Sequence, residues 1–245
     1  MLDQIDHSNP VPLYWQLAEL IKSQIASGQF QPGDRIPTEN WFSATYKVSR
    51  VTVRKAIQLL ISNETLDRNR GESPTVSYPR LTRPSNRLTS LSESLIEMGH
   101  VPSSRILMSE KSAASLRTAY HLNLEIGDPV FHLMRLRLAD DVPLAIHNCF
   151  YPYQICGKVL TSSFHSDSES VYHFLEMNGF ALSHATQIVS ARNATDMEAS
   201  ILSITPGSAL LHIERVSFST NEKAIEYSEM LYNPARYDLR MELDR

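Results

Sequence analysis

The sequence predicts an α+β chain in two parts. A small helical domain with a helix-turn-helix and a β-hairpin wing comes first, and a larger antiparallel-sheet domain follows. Three observations carry this. The run Val48-Ser49-Arg50-Val51-Thr52-Val53-Arg54-Lys55-Ala56-Ile57 has helical spacing and one basic face. Two short extended pieces flank a Gly/Pro turn soon after it. From about Leu88 onward, strand-like alternation and helical spacing take turns, with hairpin signals between them.

The first helix begins after Pro12 and places Leu13, Leu17, Leu20, Ile21 and Ile25 on one face. Gly28 stops it, and Gln31-Pro32-Gly33-Asp34 makes a turn. A second short helix opens at Thr38, with Glu39 in its first turn and Trp41 and Phe42 as core residues. Tyr46-Lys47-Val48 is a tight link to a third helix capped by Ser49. At about 100° per residue, Val53, Ala56, Ile57 and Leu60 form the third helix's buried stripe. Val51, Arg54, Lys55 and Gln58 lie opposite, with Arg50 at the N-terminal edge. Asn40 to Asn63 contains four basic residues (Lys47, Arg50, Arg54, Lys55) and no acidic one. Leu66-Asp67-Arg68-Asn69-Arg70-Gly71 and Thr75-Val76-Ser77 then read as two short extended pieces around a Gly/Pro turn, a hairpin wing. Two short helices joined by a tight turn, the second one basic, can place guanidinium forks in a DNA major groove. A solvated basic surface is the competing explanation.

Residues 78–87 read as a linker, because two prolines break regular structure and three arginines favour solvent. After them, Ser104 to Lys111 alternates like a strand, and Ala113 to Leu122 is helical. Val130 to Ala139 and Pro143 to Phe150 form a hairpin around Asp140-Asp141. Ser170 to Met177 and Asp196 to Leu202 are helical. Gln187 to Ala191, Leu210 to Ser219 and Ala224 to Tyr232 are strands, the last two joined at Asn221-Glu222. No internal repeat is expected. The domains are thus 1–77, a linker over 78–87, and 88–245.

At 245 residues with 42% apolar and 20% charged side chains, the chain is that of a globular protein of one large or two ordinary domains. No apolar run approaches the roughly 18 residues of a membrane span. The acidic N-terminus lacks a signal-peptide core, so the cytoplasm is expected and no membrane partner. Cys149 and Cys156 fit no zinc motif. The net charge of −4 argues against indiscriminate nucleic-acid binding. Residues 1–78 hold eight basic and eight acidic side chains. DNA contact must therefore come from local placement, chiefly the basic helix with Arg68 and Arg70.

Residues 12–77 resemble the winged helix-turn-helix of GntR-type bacterial transcription regulators. The matching residues are Pro12-Leu13-Tyr14, Gln16-Leu17, Ile25, Gly28, Pro32-Gly33-Asp34-Arg35-Ile36-Pro37-Thr38-Glu39, Val48-Ser49-Arg50-Val51-Thr52-Val53-Arg54 and Gly71. Gly71-Glu72-Ser73-Pro74 departs from the usual wing tip, which carries a second glycine. Residues 88–243 resemble the UTRA effector domain of the HutC branch, a chorismate-lyase-like antiparallel-sheet fold. That resemblance rests on Leu88-Thr89-Ser90-Leu91, Gly127-Asp128-Pro129-Val130, Arg135-Leu136-Arg137-Leu138-Ala139-Asp140 and Pro143-Leu144-Ala145-Ile146. It continues through Ser170-Val171-Tyr172, Pro206-Gly207, Glu226-Tyr227-Ser228 and Arg236-Tyr237. It implies a homodimeric regulator, most simply a repressor, that binds pseudo-palindromic double-stranded operator DNA and is released by a small molecule. No cofactor is implied.

The first resemblance places Arg50, Thr52 and Arg54 at the groove, Thr38 and Asn40 near the DNA backbone, and Gly71 at the wing; Ser49 and Lys55 complete the expected DNA set. Arg54 has an alternative partner in Glu39. In the second domain, strand parity puts Phe131, Leu133, Arg135 and Arg137 on one face. Two arginines two residues apart on a half-apolar face can converge on one anion, phosphate-like or carboxylate. A solvated sheet face would give the same pattern. The resemblance adds Ser170 and Tyr172 to such an anion site and Glu226 and Tyr232 to the rest of the ligand; Ser90 completes the expected effector set. His147 joins only if hairpin register allows. A two-residue turn at Asp140-Asp141 pairs Arg135 with Ile146, whereas a three-residue loop pairs it with His147. Neither an enzyme nor a metal sensor is expected. No nucleophilic triad, nucleotide loop or HExxH occurs, and His165, His173, Asp167 and Glu169 match no ligand spacing. An architectural DNA binder without an effector is the third alternative, disfavoured by the arginine pair.

Overall fold

The computed structural model describes residues 5–67, 73–78, 80–84, 87–164 and 170–243. Two compact units, Met1–Pro79 and Arg80–Arg245, divide the chain.

In the first unit, α1 (Leu13–Ala26), α2 (Glu39–Tyr46) and α3 (Arg50–Ser62) enclose one core. Leu17, Ile21, Phe42, Val53, Ala56, Ile57 and Leu60 are buried there, so the expected stripe of α3 is its buried face. Trp41 is the exception: it is 43% exposed, and Phe42, with the partly buried Tyr46 beside it, fills the α2 side of the core. Thr38 and Ser49 cap α2 and α3, accepting from the Trp41 and Thr52 amides at 3.3 and 3.1 Å. Between the helices Lys47 adopts the left-handed conformation (φ 51°) that makes the link tight. The wing strands β1 (Leu66–Asp67) and β2 (Thr75–Val76) pair antiparallel. The Pro32–Ile36 segment joins them. Gly33 donates to the Val76 carbonyl, Val76 to that of Asp34, and Ile36 to that of Pro74. Gly33 has φ +90°, and a side chain there would strike the Tyr78 hydroxyl, so only glycine fits.

The second unit is built on a six-stranded antiparallel sheet in the order β4-β5-β6-β9-β8-β7. Its strands are β4 (Pro102–Ala113), β5 (Pro129–Ala139), β6 (Val142–Pro152), β7 (Leu182–Asn193), β8 (Ala209–Ser219) and β9 (Ala224–Tyr232). Helices α5 (Leu116–Leu122) and α8 (Asp196–Leu202) pack on one face, over Val130 and Tyr227 and over Leu136 and Ile146. The other face meets α4 (Leu91–Glu97), a π-helical turn at Tyr153–Gly157 running into α6 (Lys158–Ser163), and α7 (Val171–Met177).

Two expectations are corrected here. Residues 80–84 are not free linker. Leu81–Pro84 is strand β3, paired in parallel with β10 (Tyr237–Arg240), with Leu81 and Arg83 buried. The pairing partner lies over 150 residues away and makes a strand of a segment whose local composition opposes one. The sheet also contains an internal repeat that was not expected. β4, α5 and β5 recur as β7, α8 and β8 at a constant offset of 80 residues. The link after each helix repeats bond for bond. Gly127 and Gly207 donate to the Ala114 and Ala194 carbonyls, and Leu124 and Ile204 to those of Ala119 and Ala199. Asn123 and Ser203 are both left-handed. Few side chains are identical between the copies, which hid the period.

The β5–β6 hairpin combines features of both registers considered. Asp140 and Asp141 have φ 52° and 63°, a two-residue turn with both residues left-handed. A bulge then leaves Leu144 without a counterpart, so Leu138 faces Pro143 and Arg137 faces Ala145. Arg135 consequently pairs with His147.

Candidate functional site

The exposed side of α3 carries Arg50, Val51, Arg54, Lys55 and Gln58, with Thr52 half-buried and Asn40 exposed nearby on α2. Ser49 Oγ lies 2.8 Å from Thr52 Oγ1, so these two hydroxyls serve the cap. Thr38 is occupied likewise. Arg54 lays its fork on Glu39, Nη2 to Oε2 at 3.2 Å and Nε to Oε1 at 3.4 Å. The alternative partner thus holds in the DNA-free protein. The Arg54 side chain is still 61% exposed, and exposed pairs of this kind open at little cost. Gly71, Arg68 and Arg70 lie outside the described residues.

In the second unit the expected parity holds. Phe131, Leu133, Arg135 and Arg137 share the buried face of β5. That face is not solvated: Arg135 and Arg137 are each 3% exposed. They border a small, partly open cavity. β6 adds His147 and Cys149, β8 adds Arg215, and β9 adds Glu226, Ser228 and Met230. The starts of α4 and α7 contribute Ser90 and Tyr172, and β3 contributes Arg83.

Four guanidinium groups therefore face one carboxylate, and that carboxylate is already engaged. Glu226 accepts from Tyr151 Oη at 2.7 Å, Tyr172 Oη at 2.8 Å and Ser217 Oγ at 3.2 Å. Arg137 donates to Ser92 Oγ at 2.7 Å. Its Nε, and both Nε and Nη1 of Arg135, are buried with no hydrogen-bond partner among the described residues. Arg135 otherwise lies over the Phe164 ring, 5.6 Å from its centroid. Burial, then the neighbouring Arg135 charge, pulls the Arg137 pKa down to about 9. Burial first, then Arg137, Arg135, Arg215 and Arg83, hold His147 well below its ordinary value, so the ring is neutral. Unpaired buried donors of one charge sign are costly in an empty cavity and suited to an anion.

Two expected ligand residues stand behind the wall. Ser170 caps α7 and donates to Ser90 Oγ at 3.0 Å; Tyr232 Oη meets His147 Nε2 at 3.0 Å. Each supports a lining residue and neither lines the cavity. Arg83 and Arg215 were not foreseen. Arg215 had a signal, because it shares strand parity with Ile213 and Ser217 and stands 80 residues after Arg135. Arg83 was read as linker, and its only signal was two neighbours, Leu81 and Leu88, able to bury it.

On the sheet's other face, His212, Glu214 and Glu229 bring ligand atoms within 4.8 Å of one another. Arg117 pairs with both carboxylates and Tyr227 Oη donates to both, so the group is already engaged and an arginine offsets one of its two negative charges. Of the four residues weighed as metal ligands from sequence, only His173 is described. No described helix is long and apolar enough to cross a membrane.

A winged helix-turn-helix with an exposed basic third helix, followed by a sheet domain with a buried cationic cavity, defines a class: a DNA-binding regulator with its own sensing domain. Two family descriptions fit in that order, "Bacterial regulatory proteins, gntR family" over residues 13–76 and "UTRA domain" over residues 97–238. The chain belongs to the GntR family of bacterial transcription regulators, in its UTRA-containing, HutC-type branch. It is 31% identical to the HTH-type transcriptional repressor NagR of Bacillus subtilis (strain 168) over 242 residues, 98% of each chain. It is 26% identical to the histidine utilization repressor of Klebsiella aerogenes, again over 98% of each. The crystal structure of PhnF from Mycobacterium smegmatis shares the fold, with a TM-score of 0.66 at 23% identity, covering 93% of this chain and 98% of that one. The relatives are transcriptional regulators, not enzymes.

Proposed function

We propose that this chain is a repressor that binds a pseudo-palindromic operator as a homodimer and releases it when a small anion fills the cavity of its second unit. Arg50 and Arg54 read base edges from α3, Lys55 and Asn40 contact the DNA backbone, and Thr38, Ser49 and Thr52 hold the helices in place. The wing at Gly71 adds to the grip. Arg135 and Arg137 hold the anion, with Tyr172, Ser90, Glu226 and His147 around the organic part. Ser170 and Tyr232 position Ser90 and His147.

The observation that carries this reading is the set of partnerless N–H groups on Arg135 and Arg137. A phosphate monoester or a carboxylate supplies the missing acceptors and charge. Such a ligand shifts the DNA-binding equilibrium only by its differential affinity for the two states of the protein. The test is a thermal-shift panel of sugar phosphates and small carboxylates on the full chain. It is paired with a gel shift on DNA selected from a random library at fixed salt. A hit that stabilises the protein and releases the DNA, and fails to do both in Arg135→Ala, supports the reading. Release that persists in Arg135→Ala overturns the anion site.

A further inference from the structure

The strand carrying Arg83 is the least anchored part of the cavity wall. Arg135, Arg137 and Arg215 project from strands with neighbours on both sides in the six-stranded sheet. Arg83 projects from β3, whose only strand partner among the described residues is the four-residue β10. Two-stranded pairs of this length are marginal by themselves. Yet Arg83 is 3% exposed, lines the cavity, and donates through Nη2 to Thr89 Oγ1 at 2.9 Å and to the Thr89 carbonyl. It also borders a wider open groove with Arg87, His184 and Arg215. With one engaged carboxylate against four guanidinium groups, like-charge repulsion acts on β3 whenever the cavity lacks an anion. β3 also begins one residue after Arg80, where the second unit starts.

We infer that Arg83 is a further ligand-binding arginine beside Arg135 and Arg137 and that, through it, an anion in the cavity fastens the segment by which the DNA-binding unit is attached. The inference rests on the anion-site reading above. An acceptor oxygen placed between Arg135 and Arg83 converts repulsion into a shared ion pair. β3 is then held by its side chain as well as by its pairing with β10. Occupancy is thereby written into residues 81–83, the first secondary structure after the boundary. The sheet arginines fix where the anion sits, and Arg83 alone transmits its presence along the chain.

Inorganic phosphate on the full-length protein tests this by hydrogen–deuterium exchange, with thermal shift run in parallel as the binding readout. In wild type, saturating phosphate should raise the melting temperature and slow exchange of the 81–83 amides by about tenfold or more. In Arg83→Gln, phosphate should still raise the melting temperature through Arg135 and Arg137, but protection of 81–83 should fall below about twofold. Arg83→Lys, which keeps the charge and loses the fork, guards against a folding defect and should show intermediate protection. Equal protection in wild type and Arg83→Gln overturns the inference. So does a wild-type thermal shift with no change at 81–83, which leaves the anion site standing. No thermal shift in wild type with phosphate or a carboxylate panel removes the anion site and this inference together.

Discussion

Replacing Arg135 with methionine should stabilise the ligand-free protein while abolishing its response to anions. Arg135 buries two guanidinium nitrogens, Nε and Nη1, with no partner among the described residues. Each costs about 1–3 kcal/mol, so together about 2–6 kcal/mol. The contact with Phe164 returns about 0.5–2 kcal/mol, and water reaching the cavity offsets part of the remainder. The net gain for Arg135→Met, which keeps most of the side-chain volume, is about 1–4 kcal/mol. For a chain of this length that is roughly 2–15 °C in melting temperature. The variant also relieves Arg137, whose charge is strained by burial and by Arg135. The assay is thermal unfolding with and without inorganic phosphate. Wild type should gain about 2.7 kcal/mol at a hundredfold excess over its dissociation constant, and the variant should gain nothing. A ligand-free variant that melts below wild type would show that the guanidinium holds the fold together, and the reasoning would fail. A retained phosphate shift would place the anion elsewhere.

Arg54→Ala should weaken binding to selected operator DNA by roughly 5- to 150-fold and relax base preference. Gel shifts at fixed salt measure this, and unchanged affinity would return Arg54 to a purely internal partnership with Glu39. Acidification should destabilise the second unit through His147. Its folded pKa lies well below the ordinary value, so the unfolded chain takes the proton first. Its contribution is whole above about pH 6.5 and is lost progressively as pH falls from there towards the folded pKa. His147→Gln should flatten the fall in melting temperature between about pH 7.5 and 5.5, and an identical slope in both proteins would contradict it. Gly33→Ala should lower the denaturant midpoint of the first unit by about 1–3 kcal/mol of stability. Tryptophan fluorescence follows it cleanly, because both tryptophans of the chain, Trp15 and Trp41, lie there. An unaltered midpoint would mean that Tyr78 yields at no cost.

The first unit was legible because its signals are local. Ser49 and Thr38 announce helix starts, and the stripe from Val53 to Leu60 needs only helical spacing to be read as core. Strand parity likewise placed Arg135 and Arg137 on one face. What stayed hidden depends on distance along the chain. Arg83 reads as solvated until β10 arrives from residue 237 to make its segment a strand. Glu39 is in view as a partner for Arg54, but the choice between that pair and a free cation waits until α2 brings the carboxylate across 15 positions. His147 turned on a bulge, a one-residue irregularity that no spacing rule announces. Ser170 and Tyr232 were placed near the ligand by family likeness, and only packing shows that they stand one layer back.

The 80-residue repeat bears on how a ligand lies in the cavity. Two copies of one backbone, meeting at β6 and β9, form a cradle with an approximate dyad. A ligand in a truly symmetric cradle would have two equivalent orientations. Here Arg135 has its counterpart in Arg215, but the place of Arg137 is taken by Ser217 in the second copy. That difference makes one end of the cradle more positive than the other and would give a guest a head and a tail. Any polarity of recognition in this domain would thus lie where its two halves do not match.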